Sequence, residues 1–297
     1  MIGHVIIVEG NISAGKSTLC RTLASRLNMA LFLEPVGSNP YLEKFYADPK
    51  TYALPLQVWI LKQRFLSYVN ALKLLTSTSL PGVILDRSVF SDDVFAVKNL
   101  EDGNISQAGY DYYKGLRSQM LASLPPPSAV CYLDASPEEC RRRVHELRKR
   151  ECEDGIPLEY LAGLDKCYKS WLSEMETVLT NEQVRVVDWE EFGEVEDVVS
   201  HIDAATAGAP PTRVPQWVED GDEVTSRMTT DAEKPADLTC VPAVPDPNIQ
   251  TQQECLILPE VTVEVGTPSK GTGVKVADAG TSPVSVIGFE MDKLDLQ

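Results

Sequence analysis

The chain has 297 residues, enough for one large domain or two small ones, and its 43% hydrophobic content permits a sizeable core. Its 44 acids outweigh 27 Lys and Arg, for a formal net charge of -17. That balance excludes a nucleic-acid coat and a binder of anionic membranes, both of which need clustered basic residues. The seven cysteines form no C-x-x-C pair and are odd in number, so neither a disulfide framework nor a zinc site is expected. No stretch approaches a membrane span and no leader pattern follows Met1, which makes the cytoplasm the expected compartment.

In chain order, His4 to Glu9 is a short Val- and Ile-rich run that predicts a strand, and Gly15 to Leu27 follows with helical spacing. Ala30 to Glu34 predicts a second strand, and Leu56 to Leu75 a long apolar helix. Three further strands are predicted over Gly82 to Asp86, Ala129 to Asp134 and Val184 to Asp188. Between and after them, helices are predicted over Val89 to Leu100, Gln107 to Leu121, Pro137 to Arg150 and Leu158 to Leu179. Such alternation predicts an α/β fold with a five-stranded parallel sheet flanked by helices. Ligands of such sheets bind at the carboxyl ends of the strands, where this chain carries Glu9, Glu34, Asp86 and Asp134.

Composition shifts near Ala205. Residues 205–297 hold 15 acids against 6 bases, half of the 20 prolines, and only Trp217 and Phe289 as aromatics. The expected organisation is a globular domain over 1–204 and an acidic, disordered tail over 205–297 that is free to bind an unidentified partner. Within the tail, Cys255 to Val265 alternates like a strand, and Val284 to Leu296 is a second piece expected to dock.

Gly10-Asn11-Ile12-Ser13-Ala14-Gly15-Lys16-Ser17 satisfies G-x-x-x-x-G-K-[ST] between a predicted strand and a predicted helix, the context that motif requires. Its glycines let backbone amides turn toward phosphates, and the helix start adds free N–H groups and a positive dipole end. Lys16 would reach β and γ oxygens, and the Ser17 hydroxyl would serve Mg2+. The loop signifies a nucleotide phosphate without choosing a reaction.

Three further segments choose it. Glu34-Pro35-Val36, Asp86-Arg87-Ser88, and Arg148 to Glu153 followed by Ile156-Pro157-Leu158-Glu159-Tyr160-Leu161 stand in order behind the loop. Together they resemble the deoxynucleoside kinase family over about residues 1–203. The resemblance implies a P-loop kinase fold, ATP as phosphoryl donor with Mg2+ at Ser17 and Asp86, and a deoxyribonucleoside as acceptor. It implies Glu34 as general base, Arg87 holding Glu34 and the 5′-oxygen in register, and lid residues Arg148 and Arg150 stabilising the migrating phosphoryl. On the donor side it implies contacts from residues 10–17, Thr18, Arg143 against adenine, and a loop with Glu190 and Phe192. On the acceptor side it implies Tyr46 and Glu153 at the 3′-hydroxyl, Gln57 and Ile60 at the base, and Phe95 stacking on it.

Arg64 and Asp92 match the pair that accompanies enzymes for deoxyadenosine, deoxyguanosine or deoxycytidine rather than thymidine. Asp92 would accept from an amino group on the base, and Arg64 would fix it. The resemblance also implies a homodimer packed through the long helix, and a role in nucleotide salvage. Two other readings stand beside this one: a nucleoside monophosphate kinase, and a non-catalytic relative kept as a structural subunit.

Overall fold

The computed structural model describes residues 3–34, 39–148, 150–219 and 286–287. Its order is β1 (His4–Gly10), α1 (Lys16–Leu27), β2 (Ala30–Phe32), α2 (Leu42–Ala47), α3 (Pro49–Ser77) and β3 (Gly82–Asp86). Then come α4 (Asp93–Glu101), α5 (Gln107–Ala122), β4 (Ala129–Asp134), α6 (Pro137–Arg143), α7 (Leu158–Val178), β5 (Val184–Asp188), α8 (Val195–Thr206) and α9 (Gln216–Glu219). A last strand, β6, is Val286–Ile287.

The sheet runs β5-β4-β1-β3-β2-β6 with every pairing parallel. The five predicted strands are all present. Their runs are apolar without alternation because helices cover both faces, and β1, β3 and β4 are buried nearly throughout. The two-residue β6 departs from the five-stranded expectation. It pairs with Leu31 and Phe32 of β2, whose outer edge otherwise presents unpaired backbone groups. It falls in the piece expected to dock, whereas Cys255 to Val265 and most of 205–297 lie outside the described residues.

β1 sits between β3 and β4, so the chain order reverses beside it and opens a crevice at the carboxyl ends. Val8 pairs with Asp86, and the Arg87 amide donates to the Val8 carbonyl at 3.0 Å. The phosphate loop after β1 and the Asp-Arg-Ser turn after β3 are thereby neighbours.

Several helices depart from their predicted limits for local reasons. α3 starts at Pro49, where Asp48 caps the Thr51 amide at 3.4 Å and proline suits the first turn. α4 starts only at Asp93, because residues 88–91 form a turn held by side chains. The helix expected to reach Arg150 ends at Arg143, and Val144–Arg148 winds as a wider π-helix that resets the direction of Arg148. Helices α2, α8 and α9 go beyond the predicted elements, and α9 lies within the segment expected to be a disordered tail. Beyond α8 the chain keeps packing on the body: the Thr212 amide donates to the Gly3 carbonyl at 3.2 Å, and Val214 and Val218 are buried. Among the described residues no helix is long and apolar enough to cross a membrane.

Gly82 opens β3 opposite His4. A Cβ there would stand 2.6 Å from the His4 carbonyl oxygen and 3.0 Å from Met29 Sδ. Because the nearest atom is backbone of a central strand, Gly82→Ala is expected to destabilise the fold by about 1–3 kcal/mol, read as a lower urea midpoint at unchanged m-value.

Candidate active site

The phosphate loop turns sharply at both glycines, with φ of 152° at Gly10 and 104° at Gly15. Gly15 caps α1 without a side-chain hydrogen bond, which leaves the first amides of the helix open for an anion. Lys16 is buried and its Nζ donates to the Asn11 carbonyl at 2.7 Å. Burial first, then Arg87 nearby, pulls its pKa down to about 7. Asn11 fastens the loop to α7 by donating to the Leu161 carbonyl at 2.9 Å.

Ser17 donates to Oδ2 of Asp86, and Asp86 Oδ1 is buried without a hydrogen-bond partner. An orphaned carboxylate oxygen beside a hydroxyl is a hard-oxygen set that fits Mg2+. These two residues would hold it.

Glu34, just past β2, is gripped by two arginines. Arg64 Nη2 and Nε reach its Oε1 at 2.5 and 3.2 Å, and Arg87 Nε reaches Oε2 at 3.2 Å. Burial alone would raise the carboxyl, but Arg64 and then Arg87 outweigh it and hold the pKa at about 2. Glu34 is therefore a fixed anion at neutral pH. Arg87 has φ of 67°, lies over the Phe95 ring with 4.9 Å to its centre, and donates to the Tyr168 hydroxyl.

Arg64 also reaches Asp92 Oδ1 at 2.8 Å, so one guanidinium spans two carboxylates. Asp92 Oδ2 takes Gln57 Nε2 at 2.8 Å and the Tyr113 hydroxyl at 2.7 Å. Asp92 is fully buried and stands behind Gln57 and Arg64, which line the cavity in front of it. Asp92, expected to meet the base, is 0% exposed here and is bonded to Gln57 and Arg64. Ile60 and Phe95 line the same wall.

The cavity has a volume of about 1070 Å³ and runs without a break from the phosphate loop to the Gln57 wall. That exceeds the usual range for one small ligand and suits two placed end to end. Tyr46 and Glu153 line it together with Glu34. Glu153 is buried and answers both lid arginines, Arg148 at 2.9 Å and Arg150 at 3.4 Å. Arg143, 1% exposed, ties the loop to the segment after β5. It donates to the carbonyls of Ala14 at 2.9 Å, Trp189 at 2.7 Å and Glu190 at 2.9 Å, and the Phe192 ring covers it at 4.3 Å. The Glu190 carboxylate turns away to Ser136.

Tyr113 and Tyr168 escaped the sequence reading. Nothing in their spacing marks them, since each reaches its partner from a separate helix. Glu9 carried one signal, an acid inside a run of Val and Ile.

The family model for deoxynucleoside kinases matches residues 6–206. A deoxyguanosine kinase of Dictyostelium discoideum is 45% identical over 198 residues, covering 67% of this chain and 68% of that protein. A mitochondrial NADH dehydrogenase (ubiquinone) 1 alpha subcomplex subunit 10 of Bos taurus is 29% identical over 283 residues, covering 87% of this chain and 76% of that protein. Among solved structures, deoxyadenosine kinase from M. mycoides with bound dATP aligns with a TM-score of 0.58 at 26% identity, covering 67% of this chain and 99% of that one.

The pinned Glu34 has a pH signature. Its folded pKa of about 2 lies below the ordinary 4.5, so the folded state binds the proton less tightly than the unfolded chain. The stability it contributes is complete above pH 4.5 and is lost as pH falls toward 2. Wild type should therefore exceed Glu34→Gln in unfolding free energy at pH 7, and the gap should close between pH 4.5 and 2. Urea titrations across that range check it.

Proposed function

This chain belongs to the deoxynucleoside kinase family, and we propose that it transfers the γ-phosphoryl group of ATP to the 5′-hydroxyl of deoxyadenosine, deoxyguanosine or deoxycytidine in preference to thymidine. The observation that carries this reading is the double clamp on Glu34. Two arginines hold the carboxylate ionised at the floor of a cavity whose other end is the phosphate loop. A sugar hydroxyl laid between them would meet its proton acceptor and its phosphoryl donor within one cavity.

Each residue then has a part. Glu34 takes the proton of the 5′-hydroxyl, and Arg87 orients the hydroxyl oxygen against it. Lys16 and the open amides of α1 hold the β and γ phosphates. Arg148 and Arg150 exchange Glu153 for the migrating phosphoryl when the donor arrives, and Glu153 with Tyr46 receives the 3′-hydroxyl. Mg2+, when held by Ser17 and Asp86, supplies positive charge at the β and γ oxygens. Arg143 and Phe192 frame the donor base.

Base preference follows from hydrogen-bond supply. Gln57 Nε2 reaches the Asp92 carbonyl at 2.9 Å and its carboxylate at 2.8 Å, which engages both amide hydrogens. Its oxygen remains to accept from an exocyclic amino group of the base, which thymine lacks. Arg64 offers further donors to a ring nitrogen or carbonyl, and its position 5.5 Å from the Phe95 ring centre crowds the space for a thymine methyl.

The product would enter nucleotide salvage in the cytoplasm. We assign catalysis to the folded body of a homodimer packed through the long α3 helix, a body that takes in residues 205–219 as well as 1–204, and leave to a partner the part of 205–297 that does not pack on it. The NADH dehydrogenase relative raises the reading of a kinase fold kept as a subunit. Against it, Lys16, Ser17, Glu34, Asp86 and Arg87 are all present and converge on one cavity.

Purified protein with Mg-ATP should phosphorylate the three amino-bearing deoxynucleosides and use thymidine poorly. Glu34→Gln should lower the rate by about 10²- to 10⁴-fold. Thymidine as best substrate would overturn the base-pocket argument, and a fully active variant would overturn the assignment of the base.

A further inference from the structure

Glu9 is completely buried at the end of β1, one residue before the phosphate loop, and the mechanism above gives it no part. Its Oε1 accepts three hydrogen bonds: from the Ser88 amide at 2.9 Å, the Ser88 hydroxyl at 3.2 Å and the Ser91 hydroxyl at 2.6 Å. Its Oε2 is buried without a hydrogen-bond partner and lies 3.9 Å from Nη1 of Arg87. A buried carboxylate oxygen with no donor is costly, and a sheet core offers easier occupants such as valine.

The residues that Glu9 holds are significant. Ser88 follows Arg87, and Arg87 has a left-handed backbone with φ of 67°, which a residue with a Cβ keeps only when its surroundings enforce it. One carboxylate thus fastens the turn that aims Arg87 and presents a free oxygen to that guanidinium.

We propose that Glu9 is a positioning residue: Oε1 fixes the turn carrying Arg87, and Oε2 is the counter-charge that holds Arg87 in place when Glu34 accepts the acceptor's proton. The inference rests on the reading that Glu34 and Arg87 act on the 5′-hydroxyl. In that step the O–H bond breaks and its proton goes to Glu34. The oxygen's electron pair forms the new bond to γ-phosphorus, and the bond from γ-phosphorus to the bridging oxygen breaks as ADP leaves. Glu34 becomes neutral while Arg87 and Arg64 keep their charges. Glu9 is the acid already within 3.9 Å of Arg87, and it is wholly buried. Holding the guanidinium there keeps the arginine from pulling away as its first partner loses charge.

Glu9→Gln preserves size and can keep the Oε1 acceptor, but sets an amide donor against Arg87. In full-length protein with Mg-ATP and the best of the four deoxynucleosides, kcat should fall about tenfold to a hundredfold with KM for ATP unchanged. In an Arg87→Lys background the same change should alter kcat little, because residues acting through one another are non-additive. Wild-type kcat in Glu9→Gln, or equal fold-losses in both backgrounds, overturns the proposal. Should Glu9→Gln not fold, Ser91→Ala removes the 2.6 Å bond and leaves the carboxylate. A kcat loss that vanishes beside Arg87→Lys then supports the role, and an unchanged kcat refutes it. Glu34→Gln run in parallel separates the two levels: if it is fully active, the underlying site reading fails rather than the part given to Glu9.

Discussion

One guanidinium shared by two carboxylates organises this site. Arg64 bonds Glu34 at 2.5 Å and Asp92 at 2.8 Å from the middle of a long helix; Arg64 and Asp92 are buried, and Glu34 opens onto the cavity. Charges so buried persist only when paired and hydrogen-bonded, and removing one member of such a pair costs about 3–5 kcal/mol. Arg87 joins from the turn after β3, and Gln57 and Tyr113 complete the shell around Asp92. The acid that would do chemistry and the acid that would shape the base pocket are therefore not independent. Both lean on the same arginine, so recognition of the base and placement of the proton acceptor are one mechanical unit.

The sheet makes that unit face the donor. Because β1 lies between β3 and β4, the loop after β1 and the turn after β3 emerge side by side. The amides of α1 are left open by a cap without a side chain, and Lys16 lies folded onto its own loop at Asn11. Arg148 and Arg150, which also line the cavity, rest on Glu153. Positive charge is stored on both sides of the cavity against local acids, in a protein whose overall field is strongly negative.

Much of this was legible in the sequence, and for identifiable reasons. Continuous apolar runs such as Val5 to Val8 announce parallel strands because both faces are covered. The phosphate loop is read from glycines whose backbone angles no other residue adopts easily. The convergence of Gln57, Ile60 and Arg64 follows from helical spacing. What stayed hidden depends on packing between elements distant in sequence. The withdrawal of Asp92 behind Gln57 and Arg64 is a matter of depth, which spacing along one helix does not report. The π turn after Arg143 comes from a side chain drawn inward to three carbonyls, two of them from the segment beyond β5. Tyr168 and Tyr113 reach their partners from separate helices, and short α2 carries no strong periodicity.

The claim that base recognition and proton acceptance share one arginine can be tested at its far end. Asp92→Asn keeps the shape of the side chain and changes no residue that lines the cavity. The measurement is the single-turnover rate of phosphoryl transfer from Mg-ATP at saturating nucleoside. A shared arginine predicts a fall of about tenfold or more, because Arg64 loses the anchor that holds it on Glu34. An unchanged rate, with only weaker nucleoside binding, would mean that the two carboxylates work separately.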